Sequence, residues 1–104
     1  MKQSYLVVGT GLIGTSIAMG LRAAGNEVAL ADIDEQALHT ALTKSGGRPW
    51  DGSSPADVAV IATPPAVTAR TMRAIAMALP AAVITDVSSV KAAVLGELGE
   101  VTSP

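Results

Sequence analysis

Three glycines, Gly9, Gly11 and Gly14, separate the apolar run Tyr5-Leu6-Val7-Val8 from a stretch with helical periodicity, and Asp32 follows Gly14 by eighteen residues. Positions without side chains at this spacing allow a tight turn, a close approach of backbone to a ligand, and close contact between a helix and a strand. A helix that starts there turns its free amides and the positive end of its dipole toward a pyrophosphate. A carboxylate at the end of the next strand accepts hydrogen bonds from ribose hydroxyls and repels a 2′-phosphate. The chemistry expected of Gly9, Thr10, Gly11, Leu12, Ile13, Gly14 and Asp32 is therefore dinucleotide binding, with NAD preferred to NADP. A glycine-rich helix entry beside an ordinary strand-end aspartate is the competing account, and Arg48 leaves room for a 2′-phosphate.

Two further turns carry polar groups. Thr63-Pro64-Pro65 ends the apolar run Val58 to Ala62, and Asp86-Val87-Ser88-Ser89 ends a run from Ala82 to Thr85. If these runs are strands of one parallel sheet, both turns lie at its carboxyl edge, where ligands collect. Thr63 and Pro64 are expected to flank a ribose of the cofactor. Asp86, Ser88 and Ser89 stand near the expected nicotinamide position, although helix capping alone would also account for Asp86 or Ser88. Lys91 follows in the same segment and reaches either the cleft or solvent. His39, the one histidine, falls in the middle of a polar helix face and reads as a surface residue, so the chain lacks the base that a hydride transfer coupled to proton loss usually needs.

The elements that must position these residues follow from periodicity. Ser4–Val8 reads as a buried strand. The helix after the glycine turn has Ile13, Ile17, Leu21 and Ala24 recurring at its spacing, and Gly25-Asn26 stops it. Residues 27–31 form a second strand ending at Asp32. A second helix begins at Asp34 or Glu35, with Asp34 as its cap, and runs to about Ser45, with Ala37, Leu38, Ala41 and Leu42 inward and Gly46-Gly47 as its stop. The turn-rich segment 48–55 leaves space for a short edge strand near Trp50. Val58 to Ala62 is a central strand. Pro64 and Pro65 lead into a helix at about Ala66, with Val67, Thr71, Ile75 and Leu79 on one side and Arg70 and Arg73 toward solvent. Ala82 to Thr85 reads as another buried strand, and a last helix carries Val90, Val94, Leu95 and Leu98. This alternation predicts an α/β domain with an open, doubly wound parallel sheet.

Composition agrees. The 104 residues are 49% hydrophobic, with no Phe, one Trp and one Tyr, a supply suited to helix-on-sheet packing in one domain. A net charge of −2 gives no basic field for nucleic acid, and the absence of cysteine removes disulfides and thiolate chemistry; no metal site is expected. The opening apolar run is too short for a signal peptide or a membrane span, so a soluble, cytoplasmic protein is expected.

The segments VVGTGLIGTSIAMGLRAAG, ALADID, ADVAVIATPP and TDVSSVKAAV, in this order, resemble the amino-terminal domain of the prephenate dehydrogenase family across essentially the whole chain. The glycine segment is shared with many dehydrogenases; Thr85-Asp86-Val87-Ser88-Ser89-Val90-Lys91 is the more specific part. The resemblance implies a Rossmann NAD(P)-binding fold with the substrate domain absent. It also implies oxidative decarboxylation of prephenate or arogenate with NAD, in tyrosine biosynthesis. By motif position Ser89 resembles the serine that bonds the catalytic histidine, and Asp32 the ribose-binding acid. Thr10 and Thr15 stand where apolar and small residues are frequent, and Thr15 could add a hydroxyl to the phosphate site. The family's catalytic histidine and its helical domain, which forms a homodimer, would follow Pro104, so the chain by itself is expected to bind NAD without turning over substrate and to expose apolar surface meant for that domain. Other readings stay open: a β-hydroxyacid dehydrogenase, an imine reductase, a stand-alone NAD-sensing module, or an S-adenosylmethionine methyltransferase.

Overall fold

A computed structural model describes residues 3–87 of the chain. Its elements, in chain order, are β1 (Ser4–Val8), α1 (Leu12–Ala23), β2 (Glu27–Ala31), α2 (Glu35–Ser45), β3 (Arg48–Pro49), β4 (Val58–Ile61), α3 (Pro65–Ala78) and β5 (Val83–Asp86). The strands form one sheet in the order β3-β2-β1-β4-β5, with every neighbouring pair parallel. After β3 the chain returns to the far side of β1, so the winding reverses between β1 and β4, and a crevice opens beyond the carboxyl ends of those two strands. The doubly wound α/β fold expected from the alternation of strands and helices is the one observed.

Parallel strands covered on both faces need apolar residues at every position, which is why the central runs are continuous rather than alternating. In β1, Leu6 and Val8 point to one face, where they join Ala29, Ala59, Ile61, Ile75 and Leu79 under α3. Val7 points to the other and packs with Ala18, Val28, Leu30, Ala41 and Val60 under α1 and α2. Leu6, Val7, Leu30 and Ile61 are fully buried. Each such side chain contributes about 1.5–3 kcal/mol relative to exposure.

Helix ends behave as their residues dictate. The Asp34 carboxylate accepts hydrogen bonds from the Gln36 and Ala37 amides at the start of α2, and Gly46 stops that helix in the left-handed conformation with φ 73°. The edge strand expected near Trp50 forms one step earlier, at Arg48–Pro49, and the Trp50 amide extends the pairing by donating to the Leu30 carbonyl. The Trp50 indole then donates to the Ser54 carbonyl while its ring packs on the α3-side core, filling the space beside the β3-to-β4 connection.

Two expectations need correction. Ile13 in α1 and Ala24, at its C-cap, are exposed; the buried residues of α1 are Gly14, Thr15 and Ala18, with Ile17 and Leu21 at the flank. The helix lies so close to β1 that only small residues fit between them, and larger ones move to the sides. Secondly, β5 is not buried: Val83 is exposed and the remaining residues are half-buried, because among the described residues β5 pairs only with β4. The last helix expected over Val90, Val94, Leu95 and Leu98 falls outside the described residues.

The closeness of α1 to β1 is set at one point. A methyl group on Gly14 would overlap the Gly9 carbonyl oxygen, which is backbone and cannot move without shifting the turn. Gly14→Ala is therefore expected to cost about 3 kcal/mol of stability through overpacking, read as a lower urea midpoint. Asp34→Ala, which removes the α2 cap without touching the core, is expected to cost about 1 kcal/mol in the same measurement.

Candidate nucleotide-binding site

The carboxyl edge of the sheet is levelled by register. Val8 pairs with Ala31 on one side and with Ile61 on the other, and Ile61 pairs with Asp86. The residues that follow, Gly9, Asp32 and Ala62, therefore stand side by side, and Asp86 lies one residue back on β5, level with Ile61. From β2 to β5 is three inter-strand steps, about 14 Å in total, so Asp32 and Asp86 mark the two sides of one extended crevice.

Gly9 turns the chain out of β1 with φ 97°, a conformation that strains any residue with a side chain. Its amide donates to the Ala31 carbonyl at 2.8 Å, and a Cβ there would lie 2.6 Å from the Ala62 carbonyl oxygen. The turn is thus wedged between the ends of β2 and β4. Beside Gly11 the situation is the reverse, since an added Cβ would meet nothing within 4 Å. That open space lies at the cap of α1, whose first turn carries no acidic residue and no side-chain cap. Among the described residues no side chain caps the amides there, so they and the dipole face outward, as an anion site requires. At α2 the opposite holds, because the Asp34 carboxylate takes the equivalent amides.

Asp32 is held by three hydrogen bonds. Its Oδ2 accepts from the Thr10 amide and the Thr10 hydroxyl, each at 2.7 Å, and its Oδ1 accepts from the Asp34 amide at 2.8 Å. Partial burial pushes the carboxyl pKa up, but these three bonds, from the Asp34 amide and the Thr10 hydroxyl and amide, with a smaller contribution from the nearby Ile33 amide, outweigh it and hold the group below its ordinary 3.8. Asp32 is ionised throughout the neutral range.

The tie between Thr10 and Asp32 was not foreseen from the sequence, although the signal for it was there: a hydroxyl residue follows the first glycine, and an acid ends the strand paired beside it. Thr15, for which a phosphate contact was considered, instead donates its hydroxyl to the Thr10 carbonyl at 3.1 Å and is buried. Its side chain supports the turn from beneath.

Thr63 follows the β4 end directly behind Gly9, with its hydroxyl 3.1 Å from that of Thr68, which also reaches the Thr63 and Pro64 carbonyls. Pro64 is exposed at the entry to α3. Leu12 is strongly exposed and Ile13 partly so, next to the open space at Gly11. The structure thus gathers Gly9, Thr10, Gly11, Leu12, Ile13, Gly14 and Asp32 at the β1 and β2 ends, puts Thr63 and Pro64 at the β4 end, and leaves half-buried Asp86 at the β5 end. Ser88, Ser89 and Lys91 lie outside the described residues. His39 is exposed on α2, and among the described residues no group of His, Asp or Glu could hold a metal ion. A groove of about 530 Å³ continues from Thr10 and Gly11 between α1 and α2, past Asp34, Thr40 and Lys44. No described helix is long and apolar enough to cross a membrane.

Comparison with known proteins matches residues 17–103 to the family model described as prephenate dehydrogenase, nucleotide-binding domain. The matched stretch begins inside α1, so the glycine turn rests on its own geometry. A probable prephenate dehydrogenase, NovF, of Streptomyces niveus is 33% identical over 96 residues, covering 92% of this chain and 26% of that protein. The crystal structure of Synechocystis arogenate dehydrogenase superimposes with a TM-score of 0.70 at 27% identity, over 80% of this chain and 32% of that one. A putative NADP oxidoreductase of Bacteroides fragilis reaches 0.72 at 14% identity, over 82% of this chain and 35% of that one, a likeness of fold alone. The chain thus spans about a quarter of the curated relative and about a third of the two solved chains. With a family model along most of its length and a third of its residues shared with a curated member, this chain belongs to the prephenate dehydrogenase family and corresponds to that family's nucleotide-binding domain, built on a Rossmann-like fold.

Proposed function

We propose that this domain binds NAD in preference to NADP and serves as the cofactor half of an enzyme that oxidises prephenate or arogenate. The observation that carries the reading is the ionised Asp32 carboxylate, anchored to the glycine turn at the rim of the crevice. A fixed negative charge beside the adenosine ribose accepts its hydroxyls and disfavours a phosphate at the same place. Asp34 reinforces this choice, since its own carboxylate takes the α2 amides that could otherwise receive a 2′-phosphate.

The residues present fit a dinucleotide. The α1 amides and the open space at Gly11 would hold the pyrophosphate, Asp32 the adenosine ribose, and Thr63, Pro64 and Asp86 the part of the crevice toward the nicotinamide. Bound there, NAD would supply a two-electron hydride acceptor. The chain's own part is to orient it, through rigid backbone at the turn rather than through cationic side chains. By their place in the family's motif, Ser88 is assigned to the cofactor and Ser89 to the catalytic centre, where it would position the base supplied by the rest of the enzyme. Substrate binding and the homodimer belong to the longer protein in this reading. The 104 residues alone would bind cofactor without oxidising substrate, and the enzyme would act in the cytoplasm.

Calorimetric titration of the chain tests the reading: NAD is expected to bind at least tenfold more tightly than NADP, and tighter NADP binding would overturn it. Asp32→Asn is expected to weaken NAD about tenfold, the scale of one charged hydrogen bond, and to narrow the gap to NADP. Because the Asp32 pKa is lowered on folding, its contribution to stability is fully present above the unfolded value of 3.8 and is lost as the pH falls through the lower folded value. Stability and NAD affinity are therefore expected to show no Asp32-dependent change between pH 5 and 8. An Asp32-dependent transition inside that window, found by comparing melts of the parent and Asp32→Asn chains, would contradict the assignment.

A further inference from the structure

The candidate site contains a residue whose side chain is committed to another residue of the protein. Thr10, between the first two glycines, is almost wholly buried, at 4% exposure, although it sits in a surface turn at the mouth of the crevice. Its hydroxyl and amide converge on one oxygen of Asp32, and the Asp34 amide holds the other. Rotation of the Asp32 carboxylate would therefore break three hydrogen bonds at once. Beneath it, the Thr15 hydroxyl donates to the Thr10 carbonyl, so the chain of contacts runs from the α1 helix through Thr10 to the end of β2. Hydrogen bonds linked in this way polarise and orient one another.

We propose that Thr10 is a positioning residue that sets cofactor choice by fixing the direction of the Asp32 carboxylate. This rests on the reading of Asp32 as the ribose acid. A carboxylate free to rotate would have to be ordered when the ribose binds, and could swing away from a 2′-phosphate; one already held loses no freedom on binding and stays in the path of the phosphate. Selectivity thus depends on a hydroxyl whose hydrogen bond goes to Asp32.

Titrations of NAD and NADP into the parent chain, Thr10→Val, Thr10→Ala, Thr10→Ser and Thr15→Val separate this role from simple support of the fold. Loss of the Thr10 hydroxyl is expected to weaken NAD about tenfold, as for one hydrogen bond to a charged group, while leaving NADP little changed, so that the ratio of the two affinities falls by about the same factor. Thr10→Ser, which keeps the hydroxyl, is expected to restore that ratio. Thr15→Val, which loosens the turn without touching Asp32, is expected to weaken both ligands alike. A ratio unchanged in Thr10→Val and Thr10→Ala, in a parent chain that does prefer NAD, overturns the proposal and leaves the NAD reading intact. A parent chain that prefers NADP sinks the NAD reading first, and the proposal with it.

Should the valine and alanine variants fail to fold, NMR of the unmodified chain decides. The Thr10 amide is expected to resist hydrogen exchange and to shift as the Asp32 carboxyl is protonated. An amide resonance that stays still through the acid titration disproves the contact on which the proposal stands.

Discussion

Contact between the Gly14 position and the Gly9 carbonyl sets the geometry of everything around the crevice. With no side chain between them, the first helix lies against the first strand with its amino end directly over the turn, and the amides of that end open into the space beside Gly11. Because the strand is central and both of its faces are buried, the turn cannot drift. It is held laterally as well, by the Gly9 amide on the Ala31 carbonyl and by the Ala62 amide on the Val8 carbonyl. Rigidity at the glycine turn thus comes from backbone packed against backbone.

In the proposed function, that construction is what lets an acidic chain attract a doubly charged anion. A net charge of −2 offers no long-range steering, and the described crevice needs no cationic side chain for its central contact. The attraction is local and directional, from amides and a helix dipole at one end of α1. The two helix starts beyond β1 and β2 are treated oppositely: the first is left open, while the second is closed by Asp34. Two carboxylates, Asp32 and Asp34, border the same turn without neutralising the open helix end, because each is committed to amides of its own neighbourhood.

The α3 side of the crevice is built by a different device. Thr68 binds back to the Thr63 and Pro64 carbonyls, and the helix starts at Pro65, so the β4 turn is stiffened by local hydrogen bonds and a fixed proline φ rather than by glycine contact. The relatives that this chain matches are longer, since it corresponds to 26% of one and 32% of the other.

The sequence by itself determined the order of elements, the strand runs, the cap at Asp34 and the left-handed stop at Gly46. These depend on local periodicity and on backbone preferences of single residues, which a sequence states directly. It also named Gly9, Gly11, Gly14 and Asp32, since their types and spacing carry the chemistry. Only the tertiary structure decided which face of α1 is buried: Ile13 looked inward by periodicity, yet the closeness that Gly14 permits leaves room there for Thr15 and Ala18 instead. It likewise decided that Val83 lies exposed on an outer strand, and that the Thr10 hydroxyl is spent on Asp32 and the Thr15 hydroxyl on the Thr10 carbonyl. Partners like these are set by the register of strands far apart in the chain, Val8 against Ala31 above all. Neither periodicity nor residue type records such a register, because it follows from how the whole sheet packs.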